Sequence, residues 1–235
     1  MRSFFLCWLL LLTACTQNAS KTIIGDDVMP DVRFLALGDS YTIGESVPEA
    51  ERWPNQLAEL IRSSPPFDET GGSIEVTIIA RTGWTTDELW NGIQEVTIEP
   101  PYDLVSLLIG VNNQYRGRDI EEYRAGFVFL LNKAIAYAGG DPGRVIVLSI
   151  PDWGVTPFAK DRDSKQIALE INQFNAVNEE ESKKAGVHYV DVTPISREAA
   201  TDVSLIASDG LHPSGKMYAE WAKLALPDAL RIIEQ

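Results

Sequence analysis

Val32-Arg33-Phe34-Leu35-Ala36-Leu37-Gly38-Asp39-Ser40-Tyr41 decides how this chain folds. Val32 to Leu37 has the length of one strand and stops at a glycine, beyond which polar residues begin. It is nearly continuous in its apolar character, as a strand covered on both faces requires. Four further runs share these properties: Ile74 to Ile79, Leu104 to Ile109, Val145 to Ile150 and Val187 to Val190. Between them lie segments of helical period, Trp53 to Ser63, Thr86 to Ile93, Ile120 to Tyr137 and Asp163 to Lys184, with a last helix from Ser214 to Ile233. Ile167, Ile171, Phe174 and Val177 recur at steps of three and four, while Glu179-Glu180-Glu181 and Lys183-Lys184 predict a solvated helix face. Pro213 and Ser214 are start signals for the last helix, and Pro227 predicts an early end or a kink. This alternation predicts a doubly wound α/β sandwich on a five-stranded parallel sheet, with its site beyond the carboxyl ends of the strands.

The 235 residues suit one domain, spanning 31–235, with enough chain to bury a core. Hydrophobic residues at 45% and charged residues at 23% are those of a globular chain, neither disordered nor membrane-spanning many times. A formal charge of −14 disfavours nucleic acid, which needs a basic footprint, and makes a neutral substrate the easier match.

The N-terminus is a separate unit. Arg2 followed by the apolar run Phe4 to Leu12 is too short to span a bilayer and reads as a secretory signal over residues 1–14. Leu12-Thr13-Ala14-Cys15 resembles a bacterial lipobox, which implies cleavage before Cys15 and a cysteine left carrying lipid. An ordinary signal cut after Ala14 is the alternative. Cys7 leaves with the signal, so Cys15 has no partner for an internal disulfide. The stretch to Pro30 is polar and aperiodic and reads as a tether of about 50 Å at roughly 3.3 to 3.6 Å per residue. Lipidation predicts a membrane-held protein outside the cytoplasm, and Thr16 after the cysteine points to the outer membrane where there is one.

Four short segments carry candidate chemistry. Ser40 follows the first strand, where a serine can project its hydroxyl beyond the sheet edge; a helix N-cap is its structural alternative. It is not a G-x-S-x-G elbow, since Thr42 holds the final glycine position. Asp209 and His212 bracket a tight turn before Pro213, a spacing that lets one loop supply an imidazole base and the carboxylate that sets its tautomer. The other histidine, His188, lies within a strand and reads as structural. Gly83, after the second strand, can offer an unhindered N–H to an oxyanion, and Asn112, after the third, a side-chain amide; Asn113 is the neighbouring alternative.

Together, Gly38-Asp39-Ser40, Gly83, Gly110-Val111-Asn112 and Asp209-Gly210-Leu211-His212 resemble the four blocks of the SGNH hydrolases, also known as GDSL-type esterases and lipases, over roughly residues 32–233. The resemblance implies a flavodoxin-like three-layer α/β/α sandwich and an acyl-enzyme mechanism with no metal or other cofactor. It implies Ser40 as nucleophile, His212 as general base, Asp209 as its orienting carboxylate, and an oxyanion hole from Ser40 N–H, Gly83 N–H and the Asn112 amide. Tyr41 stands where the family name has Leu, and Asn113 where the third block usually has Asp.

Acetylated sugars, short acyl esters and lysophospholipids are the substrate classes this leaves. Trp53, Trp84, Trp90 and Trp153 can line a cleft or serve as packing, and Pro151 to Pro157 is the candidate substrate-facing loop. A rival reading is a non-catalytic surface lipoprotein that binds a glycan or protein partner, which predicts a degraded site. A nucleotide-binding module is disfavoured, because no G-x-G-x-x-G or Walker pattern follows a strand. Oligomeric state is not encoded in any of these features.

Overall fold

The computed structural model describes residues 31–65 and 67–234, so the signal, Cys15 and the tether lie outside the described residues. Strands β1 (Val32–Gly38), β2 (Ile74–Ala80), β3 (Leu104–Leu108), β4 (Val145–Leu148) and β5 (His188–Val190) form one parallel sheet in the order β2-β1-β3-β4-β5. These are the five expected strands in flavodoxin-like order. Val105, Leu107, Leu108, Val145, Ile146, Val147 and Leu148 are all buried, as central strands covered on both faces require.

The helices are α1 (Ser40–Ile43), α2 (Trp53–Arg62), α3 (Phe67–Thr70), α4 (Thr86–Gln94), α5 (Val111–Tyr115), α6 (Ile120–Tyr137), α7 (Ser164–Ala185), α8 (Thr193–Arg197) and α9 (Gly215–Ile233). Helices α2 and α9 pack together on one side of the sheet; α4, α6 and α7 form the other layer. In α2 the buried residues Trp53, Leu57, Ala58 and Ile61 fall at steps that make one stripe. Asp119 and Asp163 cap α6 and α7 by accepting from two backbone N–H groups each. Ser214 caps α9 through Met217 N–H, as its position predicts.

Pro227 does not end α9, which continues to Ile233. Beyond the proline, Ala229 and Ile232 are buried in the core, and that packing outweighs the hydrogen bond a proline cannot donate. The acidic run in α7 is only partly solvated, because Arg124 of α6 pairs with both Glu180 and Glu181. No helix among the described residues is long and apolar enough to cross a membrane.

Register positions the site. Gly38 aligns with Ala80 on one side and Leu108 on the other, so β1, β2 and β3 end level. The turns carrying Ser40, Gly83 and Asn112 therefore leave the sheet side by side. The chain winds from β1 outward to β2 and later from β3 outward to β5, and the crevice between β1 and β3 is the topological switch point where such sheets bind ligands.

Candidate active site

The turn after β1 is sealed by close packing. A Cβ on Gly38 would lie 2.2 Å from Thr42 Oγ1 and 2.4 Å from the Leu108 carbonyl oxygen, so only glycine lets β1 run this close to its neighbours. Asp39 is fully buried and caps α1, its Oδ1 accepting from Tyr41 N–H at 3.0 Å. Burial raises the Asp39 carboxyl to about 7, against the lowering effect of that N–H. Ser40 is thus the first residue of α1 and not its cap.

The second half of the site is a turn at the surface. Asp209 Oδ1 accepts from Leu211 N–H at 2.9 Å and His212 N–H at 3.0 Å, while Oδ2 lies 2.6 Å from His212 Nδ1. Gly210 holds φ at +74°, the left-handed conformation that lets the turn close. A further hydrogen bond reaches Asp209 Oδ2 from Ser46 Oγ at 2.7 Å. Partial burial pushes the Asp209 pKa up. The hydrogen bonds from Ser46, His212 and the two N–H groups outweigh it and hold the carboxyl well below the usual carboxylate range. Tyr41 meets the His212 ring edge-on, with centroids 5.6 Å apart.

Gly83 and Asn112 occupy the neighbouring turns. Gly83 has φ of +88°, and its carbonyl accepts from Arg116 Nη2 at 2.5 Å. Arg116 is paired in turn with Glu88 at 3.0 Å, and Glu88 closes a capping box with Thr85 at the start of α4. The Arg116 hydrogen bond lowers the Glu88 pKa against the opposing effect of partial burial, with the Thr85 hydrogen bonds adding to the lowering. Asn112 Nδ2 donates to the Trp84 carbonyl at 2.9 Å, and an amide nitrogen keeps a second N–H after one such bond. Asn113 has a different duty: buried, it accepts from Thr86 N–H at 3.1 Å and donates to Thr86 Oγ1 at 3.0 Å, clamping α5 to α4.

One cavity of about 180 Å³ collects these groups. Ser40, Gly83, Asn112 and His212 all line it, with Asp209 behind the histidine. Its apolar wall is Tyr115, Trp153 and Phe158, with Trp153 in edge contact with both others at centroid distances of 5.3 Å and 6.0 Å. Trp153 is braced from behind: its Nε1–H donates to Gln114 Oε1 at 2.8 Å, Gln114 donates to Glu170 at 2.6 Å, and Gln166 donates to Glu170 at 2.7 Å. Phe158 N–H donates to the Gly210 carbonyl at 2.9 Å, tying this wall to the histidine turn.

Of the four expected tryptophans, Trp153 alone lines the cavity. Trp53 is core, Trp84 contributes its carbonyl to Asn112, and Trp90 packs on Phe129. His188 is structural, its Nδ1 3.1 Å from Asp228 on α9. A wider, open hollow of about 660 Å³ beside edge strand β2, lined by Glu49, Asn55, Glu59 and Arg62, contains none of the site groups. Among the described residues no three His, Cys, Asp or Glu side chains cluster so as to hold a metal ion. Sequence reasoning missed Ser46, Tyr115, Phe158 and Gln114. The period of α5 points to Tyr115, three residues beyond Asn112, but so short a helix is not legible in the sequence; nothing local marks Ser46.

Several solved structures share this fold. The psychrotrophic esterase EstA from Pseudoalteromonas sp. is similar in structure, with a TM-score of 0.64 at 16% identity over 87% of this chain and 100% of that one. The acetylxylan esterase Axe2 from Geobacillus stearothermophilus has a TM-score of 0.61 at 19% identity, over 88% and 97%. A lipase/acylhydrolase from Enterococcus faecalis has a TM-score of 0.63 at 20% identity, over 85% and 96%. At these identities the likeness speaks for the fold. A sequence search of curated proteins returns no match. The profile of the GDSL-like lipase/acylhydrolase family matches residues 36–220, so the chain belongs to that family of ester hydrolases.

Proposed function

We propose that the chain is a serine esterase for short acyl esters, with Ser40 as nucleophile, His212 as general base and Asp209 as the carboxylate that orients it. The observation that carries this is the convergence of Ser40, Gly83, Asn112 and His212 on one small cavity, with His212 Nδ1 committed to Asp209 at 2.6 Å. A proton held on Nδ1 leaves Nε2 as the basic nitrogen. Ser40 Oγ attacks the acyl carbonyl as His212 takes its proton; the Ser40 N–H, the Gly83 N–H and the second N–H of Asn112 Nδ2 receive the developing oxyanion. His212 then protonates the leaving alcohol, and water, deprotonated by the same imidazole, releases the acid and restores Ser40.

The cavity volume supports a short acyl group. The cavity is small, about 180 Å³, and Trp153 in its wall is braced from behind by Gln114. Upstream, we read residues 1–14 as an export signal and Cys15 as the lipid-bearing end of a tether to Pro30, so that the domain works outside the cytoplasm at a membrane surface.

The test is a fluorophosphonate label combined with a hydrolysis series from acetyl to long-chain esters of one alcohol. Wild type takes the label and turns over acetyl to butyryl esters best, and Ser40→Ala does neither. Labelling that survives in Ser40→Ala overturns the nucleophile, and a preference for long chains overturns the substrate class.

A further inference from the structure

The turn after α1 carries a feature that the fold does not need. Val47 N–H donates to the Gly44 carbonyl at 3.3 Å, closing a turn in which the third residue, Ser46, has φ of +65°. That position in such a turn favours glycine or asparagine, because a Cβ crowds the backbone there. Among the described residues Ser46 is the one non-glycine with positive φ. It is exposed, so no apolar burial offsets the strain.

What serine has here and glycine lacks is a hydroxyl. Ser46 Oγ–H donates to Asp209 Oδ2 at 2.7 Å, the same oxygen that meets His212 Nδ1 at 2.6 Å, across 163 residues of sequence. The preceding residue, Glu45, accepts from Thr82 Oγ1, beside Gly83. One short loop, six residues past Ser40, therefore fastens both the acid-base turn and the Gly83 turn to the segment that carries the nucleophile.

We infer that Ser46 is a positioning residue for the acid-base pair: its hydroxyl holds the partly exposed Asp209 carboxylate on His212, and a strained serine is retained at this turn for that hydroxyl. Oδ1 of Asp209 is fixed by two backbone N–H groups, while Oδ2 of this partly exposed side chain meets only side-chain partners, His212 and Ser46; the Ser46 donor restrains the oxygen that orients the imidazole. This rests on the proposed roles of Ser40, Asp209 and His212.

Ser46→Gly and Ser46→Ala in the full-length protein separate this role from a structural one. Glycine relieves the backbone and removes the hydroxyl, whereas alanine removes the hydroxyl and keeps the strain. On a short acyl ester both lower kcat about tenfold with KM within twofold, the scale of one hydrogen bond to a charged group. In thermal melts the glycine variant does not fall below wild type and the alanine variant does not rise above it, so activity and stability move independently. Wild-type kcat in Ser46→Gly overturns the inference, as does kcat that follows Tm across the pair. Ser40→Ala runs in parallel. Turnover that survives there overturns the serine-esterase reading itself, whereas turnover lost there but intact in Ser46→Gly overturns only the role of Ser46.

Discussion

Ser40 sits just beyond the end of β1, its neighbours Asp39 and Thr42 without solvent contact, whereas Asp209 sits in a turn at the surface and is secured, with the buried His212 beneath it, by directional hydrogen bonds. The first region is specified by volume: Gly38 has no room for a Cβ between Thr42 of α1 and the Leu108 carbonyl of β3. The second is specified by donors: Asp209 accepts from two backbone N–H groups, a serine hydroxyl and the imidazole. Shape errors should therefore damage folding at the first region and leave the second intact, while charge and donor errors should do the reverse.

The sharpest way to break that contrast is Asp209→Asn. An amide presents N–H where His212 Nδ1 needs an acceptor, so the wrong tautomer forms; kcat/KM is expected to fall about 10³-fold or more while Tm changes by only a few degrees. A melt that collapses along with activity would show that the surface turn is also structural. Gly38→Ala is the reciprocal case. The added methyl meets Thr42 Oγ1 and the Leu108 carbonyl inside contact distance, and the expected cost is roughly 3 kcal/mol or more, read as a lowered urea midpoint with an unchanged pH profile for the folded fraction. Full stability in that variant would mean that the turn is held by something other than volume.

The smallest effect belongs to Asp39. With its carboxyl raised to about 7 by burial, the folded protein binds a proton that the unfolded chain has released above about pH 4. Its contribution to stability is complete below the ordinary aspartate value and is lost as pH rises through about 7. Asp39→Asn keeps an acceptor for Tyr41 N–H and removes the titration, so its Tm relative to wild type should climb by a few degrees between pH 5 and pH 8. A constant difference across that range would show that Asp39 is ionised when folded.

These contrasts also explain what could be read beforehand. Strand positions were legible because buried parallel strands need unbroken apolar runs, and the blocks at their ends followed from where the runs stop. Helix α6 was placed to the residue. The choice between Asn112 and Asn113 was not legible, since both follow Gly110 and only the partner on α4 separates them. Ser46 was hidden for a stronger reason: its significance lies in a backbone angle and in a carboxylate 163 residues away, neither of which leaves a local pattern. Pro227 does not bring the early end its helix-breaking tendency suggests, because that tendency is set against burial that only the tertiary structure reveals.

The bond from Phe158 N–H to the Gly210 carbonyl couples two parts that otherwise have separate duties. The loop after β4 supplies Trp153 and Phe158 to the cavity wall, and Gly210 is the hinge of the turn that aims His212. A guest bulky enough to force Phe158 outward would load the histidine turn through this bond. On the proposed reading, selection by size would then be mechanical as well as steric, because an oversized acyl group would disturb the base proposed to cleave it.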